Sequence, residues 1–147
     1  MPDINRIFFV YPTLYNEGMS KEECCIPSPL IAGIESDAKN TIIVTVGMII
    51  NLHESVTIRT LIYPTGKPDV DNTIDDSGKF EHLKTNILPN GKAIFLSSLY
   101  LNDLVFSESG MYEIETTLLK DVEDDPLSGT VLDSYKSTFY VLMRKGD

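Results

Sequence analysis

The chain contains no tryptophan, only two cysteines and only two histidines among its 147 residues. The cysteines, Cys24 and Cys25, are sequence neighbours. A bridge between neighbours is strained, which excludes a disulfide framework of the secreted kind. Two thiols and two imidazoles without CxxC or HxxxH spacing also fall short of a zinc ligand set. Glycine-rich strand-to-helix turns that cradle phosphates are missing, as is a Gly-x-Ser-x-Gly nucleophile elbow. Basic residues are few: 12 Lys and Arg stand against 22 Asp and Glu, a net charge of −10. That balance repels phosphate backbones and anionic lipid, so neither a nucleic acid nor a membrane is expected as a partner. Long apolar runs are absent too. The run Ile7-Phe8-Phe9-Val10 meets Tyr11-Pro12 and is too short for a signal-peptide core or a bilayer span. A cytoplasmic protein is the expectation.

Hydrophobic residues make up 42% of the chain, enough for residues 1–147 to bury one core as a single domain. Their periodicity is that of strands. Strand character covers residues 4–11, ending at Pro12, and then 41–52, 55–63, 92–101, 111–120 and 137–145. Gly47 suggests a bulge or bend. His53-Glu54 marks a tight reversal, and Pro64-Thr65-Gly66 and Leu88-Pro89-Asn90-Gly91 carry turn chemistry. Residues 67–79 read as a loop. Phe80, Leu83 and Ile87 have helical spacing over too short a span, and read as a loop, a single turn or a weak edge strand. Helix is scarce. Ser20-Lys21-Glu22-Glu23 matches a capping box, and Pro27 restricts this segment to one short helix near residues 20–26. Pro27-Ser28-Pro29 favours an extended connector. Short strands separated by turns predict an all-β fold, an antiparallel two-sheet sandwich. A closed barrel is the alternative that periodicity does not separate from it.

Glu108-Ser109-Gly110-Met111-Tyr112-Glu113-Ile114 resembles the Asp-Ser-Gly-x-Tyr-x-Cys corner of immunoglobulin-like domains. In that corner the Tyr hydroxyl ties the turn to upstream backbone. The resemblance implies immunoglobulin-like topology and gives Tyr112 the tethering role, with Ile114 where a cysteine would stand. A second resemblance covers more of the chain. The Gly47-to-Leu52 strand, Val56-Thr57-Ile58 leading to Tyr63-Pro64-Thr65-Gly66, and the Ser109–Tyr112 corner look like a group of small bacterial sandwich proteins. It implies a fold and no active site. The expected core comprises Ile7, Phe9, Ile43, Val46, Val56, Ile58, Ile62, Leu96, Leu99, Tyr112, Ile114, Leu118, Phe139 and Val141.

No constellation compels a chemistry. Cys24 and Cys25 qualify as nucleophiles only by residue type, since nothing in the sequence brings His53 or His82 to them. Asp69, Asp71, Asp75 and Asp76 cluster in one segment, and Asp121, Glu123, Asp124 and Asp125 in another. Hard cations want such oxygens converging from loops, yet the EF-hand pattern is missing, and acidic turns are ordinarily solvated. Glu113 and Glu115 fall on one strand face, where a polar outer surface accounts for them. Seven tyrosines offer anchors for a protein or a sugar, or fill the edge of the core. The expectation is therefore a non-enzymatic interaction module that binds a protein partner or itself, with no cofactor, metal or catalytic residue. The alternative is a small-ligand module, carbohydrate-binding or calcium-dependent, using loops 69–76 and 121–125 or exposed Tyr.

Overall fold

A computed structural model describes residues 5–68, 80–120 and 130–144. Among them are eight strands: β1 Arg6–Leu14, β2 Leu30–Ile34, β3 Asn40–Asn51, β4 Val56–Pro64, β5 Phe80–Ile87, β6 Lys92–Leu104, β7 Gly110–Lys120 and β8 Val131–Met143. They form two four-stranded sheets, β1-β3-β6-β5 and β2-β8-β7-β4. The arrangement is a sandwich, and a closed barrel is set aside. Its strand order is that of immunoglobulin constant-type domains, ABED facing CFG, with β2 added beside the last strand. Pairing is antiparallel except that β2 runs parallel to β8. The fold is thus the expected antiparallel two-sheet sandwich, with one parallel pair at an edge of the second sheet.

Alternation places Ile42, Val44, Val46, Met48 and Ile50 of β3 on the inner face, where all are buried against Ile62, Ile114, Leu118, Phe139 and Val141 of the second sheet. Most of the expected core lies where the pattern placed it, with four differences. Phe9 is 39% exposed, because a bulge in β1 between Ile7 and Phe9 turns its ring to the outer face, over Gly47. Gly47 itself carries no bulge; a Cβ there would lie 2.5 Å from the Phe9 ring. Leu96 pairs with Gly47 on that same outer face and is half-buried. Val56 and Ile58 face inward but are only partly covered. Ile43, fully buried, also lies on the outer face, beside Thr13 and Tyr100.

Two local expectations change as well, and a third, left open among a loop, a turn and an edge strand, resolves. Pro12 falls inside β1 rather than ending it; the strand is an edge, where a missing N–H is tolerated. The capping box forms reciprocally, Ser20 N–H to Glu23 Oε1 and Glu23 N–H to Ser20 Oγ, both 3.2 Å. It leads only into a 3-10 turn at Glu23–Cys25, in place of a short helix. Residues 80–87 are an edge strand. The corner behaves as read: the Tyr112 hydroxyl donates to the Glu108 carbonyl at 2.9 Å, and Gly110 takes φ +151°.

Candidate functional site

The inner faces part beside the turn from β3 to β4. Strand β3 delivers Met48 and Ile50 inward and then turns at Asn51, whose carbonyl accepts from Glu54 N–H at 3.1 Å and whose Oδ1 accepts from His53 N–H at 3.0 Å. This turn carries the chain from the first sheet to the second. It places Leu52 and Glu54 beside Val56, Thr57 and Ile58 of β4. Between these residues and His82, Phe95 and Leu99 of the first sheet lies a cavity of about 510 Å³. Its lining is mainly apolar. His82 is held at its edge: Nδ1 is 2.6 Å from Ser97 Oγ, and the ring stacks on Phe95 with centroids 4.4 Å apart. Glu54 Oε2 accepts from Asn5 Nδ2 at 3.2 Å.

A serine within hydrogen-bond reach of a histidine has the outline of a nucleophile and its base. Ser97 is fully buried, however, and is not among the residues that line the cavity. The pair orients an imidazole at the edge of an apolar cavity. Sequence reasoning missed it because the contact depends on the β5–β6 register, His82 opposite Ser97, and no motif announces it.

The outer face of the first sheet carries a second cavity, about 460 Å³, under the segment that holds the cysteines. That segment is tied to β1. Tyr11 Oη donates to the Cys25 carbonyl and Thr13 Oγ1 to the Ile26 carbonyl, both at 2.7 Å, and Ser28 N–H donates to the Pro12 carbonyl at 2.8 Å. Cys24 and Cys25 are free, half-buried thiols beside Tyr100, Glu81 and His82. The fold therefore does bring a histidine near the cysteines. Burial, then Cys24, Glu22 and Glu81, pushes the Cys25 thiol up, which disfavours the reactive thiolate. His53 lies elsewhere, against Gly91.

The outer face of the second sheet divides into two zones. In one, Tyr63 is buried and donates to Glu115 Oε1 at 2.7 Å, and Lys136 Nζ is 3.7 Å from the same oxygen. Glu113 and Glu115 thus sit on an outer strand face, as their spacing implied. In the other zone β2, β8 and β7 bring Leu30, Tyr140 and Met111 into one cross-strand row, with Leu142 one step along beside Ala32. Leu30, Met111, Tyr140 and Leu142 are 53%, 54%, 43% and 46% exposed. Sequence reading placed Met111 at the start of a strand but assigned no strand around Leu30, because β2 has no local signal, so the row itself was not legible.

Both acidic segments, 69–76 and 121–125, lie outside the described residues. Among the described residues no group of three or more His, Cys, Asp or Glu side chains is placed to hold a metal ion. Among them, too, no helix is long and apolar enough to cross a membrane. No family model matches the chain, and comparison with curated proteins finds no match.

Proposed function

We propose that this domain is a non-enzymatic binding module that docks a protein partner through the outer face of the β2-β8-β7 strands, in the cytoplasm. The observation that carries this reading is the exposed row of Leu30, Tyr140 and Met111 with Leu142 beside it. Exposed apolar residues scattered singly are ordinary, whereas a contiguous set marks an interaction surface. Tyr and Met are also enriched at interface centres. A polar surround adjoins the patch, with Glu113 next to Met111 and the Arg144–Glu35 ion pair, 2.7 Å, at the end of β2.

Face docking is favoured over strand addition at three of the four sheet edges. Strand β1 carries Pro12 and a bulge, β2 a bulge with Gly33 at φ +75°, and β5 a bulge beside Lys84. Such devices discourage edge pairing. The net charge of −10 makes two copies repel and favours a partner with a basic rim. Free Cys24 and Cys25 suit a reducing compartment.

The test is affinity capture from lysate together with light scattering, comparing the native chain with a Tyr140→Glu/Leu142→Glu variant. A specific partner retained by the native chain and lost by an equally stable variant is the expected result. A native dimer abolished by the same changes would replace the partner with a second copy. A strict monomer that captures nothing would sink the proposal.

A further inference from the structure

We infer that the cavity between the sheets beside β4 and β5 binds a small uncharged amphiphile, an apolar chain or ring bearing one hydroxyl-type or amide-type head. Its volume, about 510 Å³, falls in the range of about 300–1,000 Å³ typical of small-molecule sites. An apolar cavity of about 150 Å³ already accepts benzene. The occupant is not a protein helix: facing sheets stand about 10 Å apart, while a helix with its side chains is about 10–12 Å across.

The lining fits an apolar body. Met48, Ile50, Val56, Ile58, Phe95 and Leu99 supply it from both sheets. Ile42, Val44, Ile62 and Ile114 of the same core are fully buried, whereas Val56, Ile58 and Phe95, which line the cavity, remain partly exposed. An apolar cavity wall left partly wet gives a ligand burial energy that the closed part of the core does not offer.

Polar groups decide the head. Among the described residues Glu54 lines the cavity and no Lys or Arg does. A carboxylate ligand would meet that anion inside a molecule of net charge −10, without a cation to offset desolvation. An uncharged head avoids this cost. A head that donates, a hydroxyl or an amide N–H, meets the Glu54 carboxylate as acceptor, while the His82 ring, held by Ser97 at 2.6 Å and by Phe95, forms a fixed polar edge beside it.

The test is a fluorescence titration of the full chain with the neutral probe N-phenyl-1-naphthylamine, then displacement by 1-decanol and by decanoate at pH 8. Saturable enhancement at one probe per chain is expected, with decanol displacing at about a tenfold lower concentration than decanoate, or better. Val56→Phe, which fills the cavity, should abolish the enhancement, while Leu142→Glu on the outer patch should retain it. Methyl spectra of the native chain keep the inference falsifiable should Val56→Phe fail to fold. Decanol should shift Met48, Ile50, Val56, Ile58 and Leu99 and leave Leu30, Met111 and Leu142 unmoved. Absence of saturable enhancement, shifts centred on the outer patch, retained binding in a folded Val56→Phe protein, or decanoate matching decanol would each overturn it.

Discussion

Tyr112 sits where three rings meet. Its ring is edge-on to Phe106 at 5.1 Å and stacked with Phe139 at 6.0 Å, and its hydroxyl reaches the Glu108 carbonyl at 2.9 Å. Burial pushes its ionisation up. Tyr112→Phe keeps the rings and removes the tether alone. The expected cost is about 1 kcal/mol, read as a fall in melting temperature of about 3 °C or a lower urea midpoint. Tyr112→Ala would remove the packing too, at about 3–5 kcal/mol. An unchanged Phe variant would leave the corner to Gly110 and ring packing. This corner was legible in the sequence because hydroxyl and acceptor are four residues apart and the turn between them has a local signature. The His82–Ser97 pair was not legible. Those residues are 15 apart, and a bulge between His82 and Lys84 helps decide which of them meet.

Strands are legible when one face is buried and the other is not. Strand β7 alternates in that way from Met111 to Thr116, whereas β3, buried on both faces from Ile42 to Met48, reads by its β-branched run; the reading placed β3, β4, β6 and β7 within a few residues. Strand β5 is an edge in which residues 82–87 are all exposed, so burial imposes little period on it. Strand β2 has five residues, a glycine bulge and a partner more than 100 positions away. A parallel pairing of that kind leaves no hairpin turn to read. Gly47 shows a finer ambiguity: a strand glycine signals either a bulge or a close approach, and here the bulge is on β1 and the approach is Phe9. A mutant cycle separates the two elements. Gly47→Ala should cost about 1 kcal/mol in the native background, because the new Cβ drives the Phe9 ring off the sheet. In a Phe9→Ala background the same change should be neutral or stabilising, since alanine narrows the unfolded ensemble. Equal costs in both backgrounds, measured by urea denaturation, would mean the ring does not rest on the glycine.

At the scale of the molecule the buried phenols set an upper pH limit. Burial pushes Tyr11, Tyr63, Tyr100 and Tyr112 up from the ordinary value of 10.0. Neighbouring Glu115 and Glu113 add to the shift at Tyr63, and Cys24 at Tyr100. Because the folded values are raised, the unfolded chain releases its phenolic protons first. The stabilisation is therefore whole below about pH 10 and drains away as pH climbs from there toward the folded values. Tyr63 and Tyr112, 1% and 3% exposed, should each contribute a slope of up to about 1.4 kcal/mol per pH unit in that window. Tyr11 and Tyr100 are half-buried and contribute less. The sheets enter this balance differently: Tyr63 joins β4 to β7 through the Glu115 carboxylate, an acceptor that repels a phenolate. Urea midpoints measured from pH 7 to 11, with tyrosinate absorbance followed alongside, should stay level to about pH 9.5 and then fall steeply. Tyr63→Phe should be less stable than the native chain at pH 7, by about 1.5–3 kcal/mol for a hydrogen bond to a charged group. It should then lose stability more slowly above pH 10, so that the two curves converge. Parallel curves would mean that Tyr63 ionises in the folded sheet as readily as in the unfolded chain, and that the second sheet is not what limits the protein in alkali.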